Sequence, residues 1–192
     1  VTTTAPRWQR RPLARRDELL DAAQRLFVRQ GLARTSVADI AAEAGVSKGT
    51  LYRYFTSKEA LLSALKDRFF ERMMGRVAAV SASMPRDDLA AVADAAIDAT
   101  VRLLFEERDL VELWCRETPA LTDEFSRGIT QLATAYEQAI RGAVTEGRVD
   151  CGDPRTTALL LVYGVEGTAT HAILHGDGPT VDELILAAQV TT

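Results

Sequence analysis

Apolar residues recur every third or fourth position along most of this chain, the period of a helix with one buried face. Leu19, Ala22 or Ala23, Leu26 and Phe27 set that rhythm early; Phe125, Ile129, Leu132, Tyr136, Ile140 and Ala143 repeat it later. No run of four or more residues alternates apolar and polar positions with the β-branched enrichment of a strand. The pattern predicts an all-α protein of about nine helices, over roughly 14–30, 37–44, 48–55, 57–83, 87–107, 110–117, 122–146, 154–175 and 181–190.

Local signals punctuate these segments. Gly31 stands where a helix ends, and Gly147 closes the long helix over 122–146. Ser36 with Asp39, and Thr56 with Glu59, have the spacing of a capping box, in which a hydroxyl satisfies orphan N–H groups at a helix start. Ser47 precedes the third helix, Pro85 and Pro119 interrupt, Pro154 suits a first turn, and "GDGP" at 176–179 reads as a turn. Residues 1–13, polar and basic with Pro6 and Pro12, are expected to form a mobile arm.

Charge changes the picture more than bulk composition does. The net charge of −4 conceals a division: residues 1–58 carry +6, and residues 59–192 carry −10. A basic N-terminal third attracts polyanions. Cys115 and Cys151 have neither close pairing nor metal-ligand spacing with histidine, which fits a reducing cytoplasm and inert thiols. No apolar run approaches the roughly 18 residues of a membrane span, and the N-terminus lacks the apolar segment of a secretory signal, so no membrane partner is expected.

Residues 37–55 read as two short helices separated by Gly45-Val46. A helix-turn-helix needs a small residue where its helices cross and a turn residue able to take positive φ; Ala41 and Gly45 stand at those places. Ile40, Val46 and Leu51 are then set to form the local core, and Phe55 reads as core. The stretch "TSVADIAAEAGVSKGTLYRYFTSKEALL", preceded by "LLDAAQRLFVRQG", resembles the DNA-binding domain of the TetR family of bacterial transcription regulators over about residues 16–65. The remainder resembles that family only in helical layout.

The resemblance implies an N-terminal three-helix helix-turn-helix domain (14–56) and a larger effector-binding and dimerisation domain (57–192). It also implies a recognition helix whose exposed start, Ser47, Lys48, Gly49 and Thr50, enters the major groove of operator DNA. Lys48 and Thr50 are the candidates for base edges, with Tyr52 and Arg53 beside them; Tyr54, Lys58, Thr35 and Ser36 are candidates for phosphates. The arm arginines Arg7, Arg10, Arg11, Arg15 and Arg16 have the chemistry to enter a minor groove, although a weakly acting tail accounts for them as well.

One recognition helix reads too few base pairs to be specific, so a homodimer on an inverted repeat is expected. The helix over 154–175 offers a surface: Tyr163, Gly164, Gly167, Thr168, His171 and His175 form a stripe at helical spacing. Interior glycines cost about 1 kcal/mol each against alanine, and close approach of a second helix is a reason to keep them. His171 and His175 lie four apart with no further ligand nearby in sequence, so they read as interface residues; neither metal nor cofactor is expected. Phe105, Leu113, Trp114, Cys115, Phe125, Tyr136 and Tyr163 are the candidate lining of a pocket for an apolar or amphipathic small-molecule effector.

The expected function is a repressor released from its operator by that effector. A TetR-like activator, or a regulator answering to a protein, fits the same residues. An enzyme built on Cys115 with His171 or His175 is the remote alternative, since no GxSxG, P-loop or dinucleotide glycine pattern is present.

Overall fold

The computed structural model describes residues 7–84, 89–117 and 123–190, with side chains over 14–84, 91–117 and 128–189. Those residues form helices α1 (Arg7–Gln30), α2 (Val37–Glu43), α3 (Lys48–Tyr52), α4 (Lys58–Ser83), α5 (Leu89–Glu106), α6 (Arg108–Glu117), α7 (Asp123–Thr145), α8 (Pro154–His175) and α9 (Val181–Val190), with no strand among them. The all-α expectation holds. The expected arm does not hold in full, because α1 is already helical at Arg7; the side chains of Arg7, Arg10 and Arg11 lie outside the described residues.

Two compact units divide the chain between Arg68 and Phe69, inside α4 and not at the 56/57 boundary expected from sequence. In the first unit Leu19, Phe27, Ile40, Leu51, Leu61 and Leu65 are fully buried. Burial of such side chains contributes about 1.5–3 kcal/mol each. Arg25 on α1 pairs with Glu43 on α2 at 2.9 Å, and Arg68 reaches Asp21 at 2.7 Å and Gln24 at 2.8 Å.

The turn between α2 and α3 forms for the reason read from sequence. Gly45 adopts φ +64°, and the Val46 N–H donates to Ala41 O at 2.9 Å. Helix α3 is shorter than expected: the Leu51 carbonyl accepts both the Tyr54 and the Phe55 N–H, so the last turn tightens after Tyr52. The cap of α4 also differs. Ser57 Oγ, not Thr56, accepts the Ala60 N–H at 3.1 Å, because the helix begins one residue later than a box from Thr56 requires.

In the second unit α8 packs against α5, α6, α7 and α9. Its Ala158, Val162, Val165, Ala169 and Ala172 are buried, and the small ones let neighbouring backbones come close. Against the expectation from sequence, α8 is long and apolar enough by composition to cross a membrane. Its place among four other helices supplies a different reason for that composition on its buried face. Pro154 stands in the first turn as expected; Asp153, not singled out in the sequence, accepts the Thr156 N–H at 3.0 Å, and Gly176 of the expected turn closes the helix at φ +71°. Arg72 and Arg76 of α4 pair with Glu107 and Glu106 at the end of α5.

Candidate functional site

The surface of the first unit is built from the starts of three helices. Ser36 caps α2 in a closed box: its Oγ accepts the Asp39 N–H at 3.1 Å, and its own N–H donates to Asp39 Oδ2 at 2.9 Å. Hydrogen bonds from the Ser36 hydroxyl and then its backbone hold the Asp39 carboxyl below the usual carboxylate range. Ser47 caps α3, accepting the Thr50 N–H at 3.1 Å, and its Oγ lies 2.9 Å from Thr50 Oγ1. A shallow concavity brings Arg34, Ser36, Lys48, Tyr52, Thr56 and Lys58 to one face, with the N-terminal backbone of α2 and α4 opening into it. Helix N-termini and lysines around a concave surface are the chemistry of phosphate binding.

The sequence-predicted residues separate within this frame. Ser47, Lys48, Gly49, Tyr52 and Arg53 are exposed, and Thr50 and Tyr54 are half-buried. A Cβ on Gly49 would meet nothing nearer than Ser47 Oγ at 3.9 Å, so no atom of the chain itself demands glycine there. Lys58 is less free than expected: its Nζ donates to Leu32 O at 2.8 Å, tying α4 to the α1–α2 loop. Thr35 also lines the concavity, but it is 2% exposed and its hydroxyl donates to Gly31 O at 2.8 Å, so it holds the α1–α2 loop as well. Phe55 is buried, with the Arg16 guanidinium 5.5 Å from its ring centroid; Arg16 thus packs on the core edge. Arg15 pairs with Glu18 at 2.5 Å. Sequence reading missed Arg34, Thr56 and Ser57, whose signal was adjacency to two helix starts.

The second unit encloses a small cavity of about 30 Å³ and, beside it, an open groove of about 690 Å³. Of the expected lining, Trp114 and Tyr136 reach the cavity, and Tyr136 also reaches the groove. The others do not: Leu113 is buried elsewhere, Phe105 is half-buried off the cavity, and Cys115 and Tyr163 point outward, because helical phase puts them on the outer faces of α6 and α8. The side chain of Phe125 lies outside the described residues. Phe69, Phe70, Thr100, Glu166 and Thr170 line the cavity and were missed. Glu166 had a signal, as the one Asp, Glu, Lys or Arg between Arg155 and the end of α8.

Phe69 stands edge-on to both Phe70 and Trp114, at centroid distances of 5.6 and 5.0 Å. The Trp114 Nε1–H is buried without a hydrogen-bond partner among the described residues. Burial pushes the Glu166 carboxyl up, opposed by a long 3.4 Å hydrogen bond from Thr170 Oγ1. Burial, and then the charge of Asp94, likewise push the Tyr136 phenol up.

The outer face of α8 carries Leu160 (72% exposed), Tyr163, Gly164, Gly167, Thr168, His171, Leu174 and His175, and α9 adds Leu186 (63% exposed). A Cβ at Gly164 or Gly167 would meet nothing within 4 Å. The rings of His171 and His175 lie 4.5 Å apart, and Asp177 is 3.3 Å from His171 Nε2. No group of three or more potential metal ligands exists among the described residues.

A family model described as bacterial regulatory proteins, tetR family, matches residues 19–65. An uncharacterized HTH-type transcriptional regulator of Mycobacterium tuberculosis is 32% identical over 181 residues, covering 93% of this chain and 76% of that protein. The HTH-type transcriptional repressor KstR2 of Mycolicibacterium smegmatis is 36% identical over 97 residues, covering 50% of this chain and 47% of the repressor. The matched part thus spans about half the length of that curated relative, and 66% of the Rhodococcus jostii KstR2. Among solved structures, SmeT, the repressor of the Stenotrophomonas maltophilia multidrug efflux pump SmeDEF, superposes with a TM-score of 0.76 at 25% identity, covering 92% of this chain and 87% of that one.

Proposed function

This chain belongs to the tetR family of bacterial regulatory proteins, and on that premise we propose that it is a homodimeric, DNA-binding repressor of transcription that a small molecule releases from an inverted-repeat operator. The observation that carries the reading is the concavity joining Lys48 and Tyr52 of α3 to the starts of α2 and α4. Lys48 and the Gly49 backbone approach base edges in the major groove. Tyr52, Arg53, Ser36 and the N-termini of α2 and α4 hold the flanking phosphates. Thr50 Oγ1, 2.9 Å from Ser47 Oγ, keeps hydrogen-bonding capacity for a base edge.

The outer face of α8, with Leu186 of α9, supplies the two-fold contact. Exposed leucines beside helix-interior glycines favour close approach of an identical helix, and burying them removes apolar surface from water. Helix α4 is continuous through the division of the chain. A ligand that alters the pose of α4 lowers operator affinity by a coupling free energy.

Selection of duplexes from random DNA, followed by footprinting on the winner, tests this. The expected outcome is protection of an inverted repeat with half-sites one helical turn apart or a multiple of it. Uniform, sequence-independent binding with no protected repeat overturns the reading.

A further inference from the structure

The charged groups that line the cavity and groove of the second unit say what kind of molecule suits them. The groove presents apolar side chains such as Val77, Val92, Ala139 and Ile140; Asp150 is its one charged side chain among the described residues, and Leu160, Gly164 and Thr168 of the outer face of α8 form one rim. The cavity is walled by Phe69, Phe70, Met73, Ile97 and Trp114, and Glu166 is its one charged side chain among the described residues. No described lysine, arginine or histidine lines either space. Leu132, Tyr136, Leu161 and Val165 line both, so they form the partition between them.

We propose that the effector is an amphipathic organic cation: an apolar body in the groove, and a protonated amine passing the Leu132–Tyr136 partition to pair with Glu166 in the cavity. This rests on the reading of the second unit as an effector-binding domain. Three physical arguments favour the cation. A carboxylate in an apolar, aromatic-walled site is costly alone and is stabilised by a partner of opposite sign. The rings of Phe69, Phe70 and Trp114 add the attraction of aromatic faces for a cation. An anionic head group meets Glu166 with no described basic side chain to offset the repulsion. The cavity, at about 30 Å³, has room for a group the size of an ammonium. The unpaired Trp114 Nε1–H is a donor that an oxygen or other acceptor on the ligand would satisfy.

The test uses three probes of one tail length, decylamine (protonated at pH 7), decan-1-ol and decanoate. They are titrated against the full chain carrying Trp8→Phe, so that Trp114 is the sole indole, and against its operator complex. Quenching or shift of Trp114 emission reports binding, and fluorescence anisotropy of labelled operator reports release. Decylamine is expected to bind at least tenfold more tightly than decanoate and more tightly than decanol. Glu166→Gln is expected to cut decylamine affinity about tenfold while leaving decanol within twofold. Decanoate binding as well as decylamine does, or no binding by decylamine at millimolar concentration, overturns the cation assignment. The wild-type series alone decides this if Glu166→Gln folds poorly. Release of operator by decanol or decanoate in preference to the amine keeps the effector reading and sinks its chemistry. Tight amine binding that never releases operator keeps the chemistry and sinks the effector reading.

Discussion

The ring of Phe70 lies so close to the backbone of Gly128 that a Cβ built on the glycine would run into Phe70 Cδ1. Alanine at an interior helix position is worth about 1 kcal/mol over glycine, whereas overpacking a core costs about 1–3 kcal/mol. Overpacking wins here because the clash involves the body of a buried ring and not the end of a flexible chain. Gly128→Ala is therefore expected to lower stability by about 1 kcal/mol and to push Phe70 toward the cavity it lines. Denaturant unfolding of Gly128→Ala beside the double variant with Phe70→Leu checks this. A double variant no more stable than Gly128→Ala alone would count against the contact.

The DNA face separates binding from folding residue by residue. Lys48→Ala removes an exposed charge, so it should leave the melt unchanged and reduce the slope of log K against log salt by about 1. Tyr52, 51% exposed, should lose about 1 kcal/mol of operator affinity as Tyr52→Phe, with no loss of stability. Leu51→Ala should do the reverse, costing about 2–5 kcal/mol of stability because Leu51 is fully buried. Thr35→Val should cost about 1 kcal/mol of stability through the lost bond to Gly31 O. Operator titrations at several salt concentrations, paired with urea melts, read all four.

The helix-turn-helix was legible in the sequence because its constraints are local. Gly45 must take positive φ, Ala41 must be small, and Ser36 with Asp39 must close a cap three residues apart. Those requirements survive in a single sequence without tertiary information. The cap at Ser57 instead of Thr56 shows the limit of that reading, since two adjacent hydroxyls precede the helix and the one with a glutamate three residues on is not the one that caps it. The structural role of Thr35 was hidden for a different reason: its donation to Gly31 O depends on how the α1–α2 loop folds back, which no period reports. The cavity was the least legible part. Cys115 and Tyr163 carry attractive chemistry, but the phase of α6 and α8 against their neighbours turns them outward, while Glu166 turns in. Phase is set by packing among five helices, and an apolar helix such as α8 has too little polar contrast to declare its buried side.

Gly167 separates a structural glycine from an interface one. Beyond its own turn of helix, no described residue lies within 4 Å of a Cβ at this position. For an isolated subunit, Gly167→Ala should therefore raise helix stability by about 1 kcal/mol. If a second α8 packs there, the added methyl separates the two backbones and weakens association by at least tenfold, about 1.4 kcal/mol. Sedimentation equilibrium of wild type and variant reads the dimer constant directly. An unchanged constant with a raised melting temperature removes Gly167 from the interface, and Leu160→Asp then shows whether the rest of the stripe belongs to it.

Glu166 carries a pH dependence of known sign. Burial raises its carboxyl above the ordinary value, with the Thr170 bond opposing. The folded chain therefore holds this proton across a window in which the unfolded chain has lost it. Stability is unaffected below the ordinary carboxylate value and falls as pH rises from there through the raised one. Tyr136 is the other titratable group lining the cavity among the described residues, and its phenol is pushed up by burial and Asp94, so it stays neutral throughout. Glu166→Gln removes the ionisation and keeps the shape. Its melting temperature should match that of wild type near pH 4 and exceed it increasingly toward neutral pH. A saturating amine should erase that difference by pairing the carboxylate in wild type. Thermal melts at half-unit pH steps, with and without decylamine, check both claims, and a gap that narrows as pH rises would reverse the sign and remove Glu166 from the desolvated wall of the cavity.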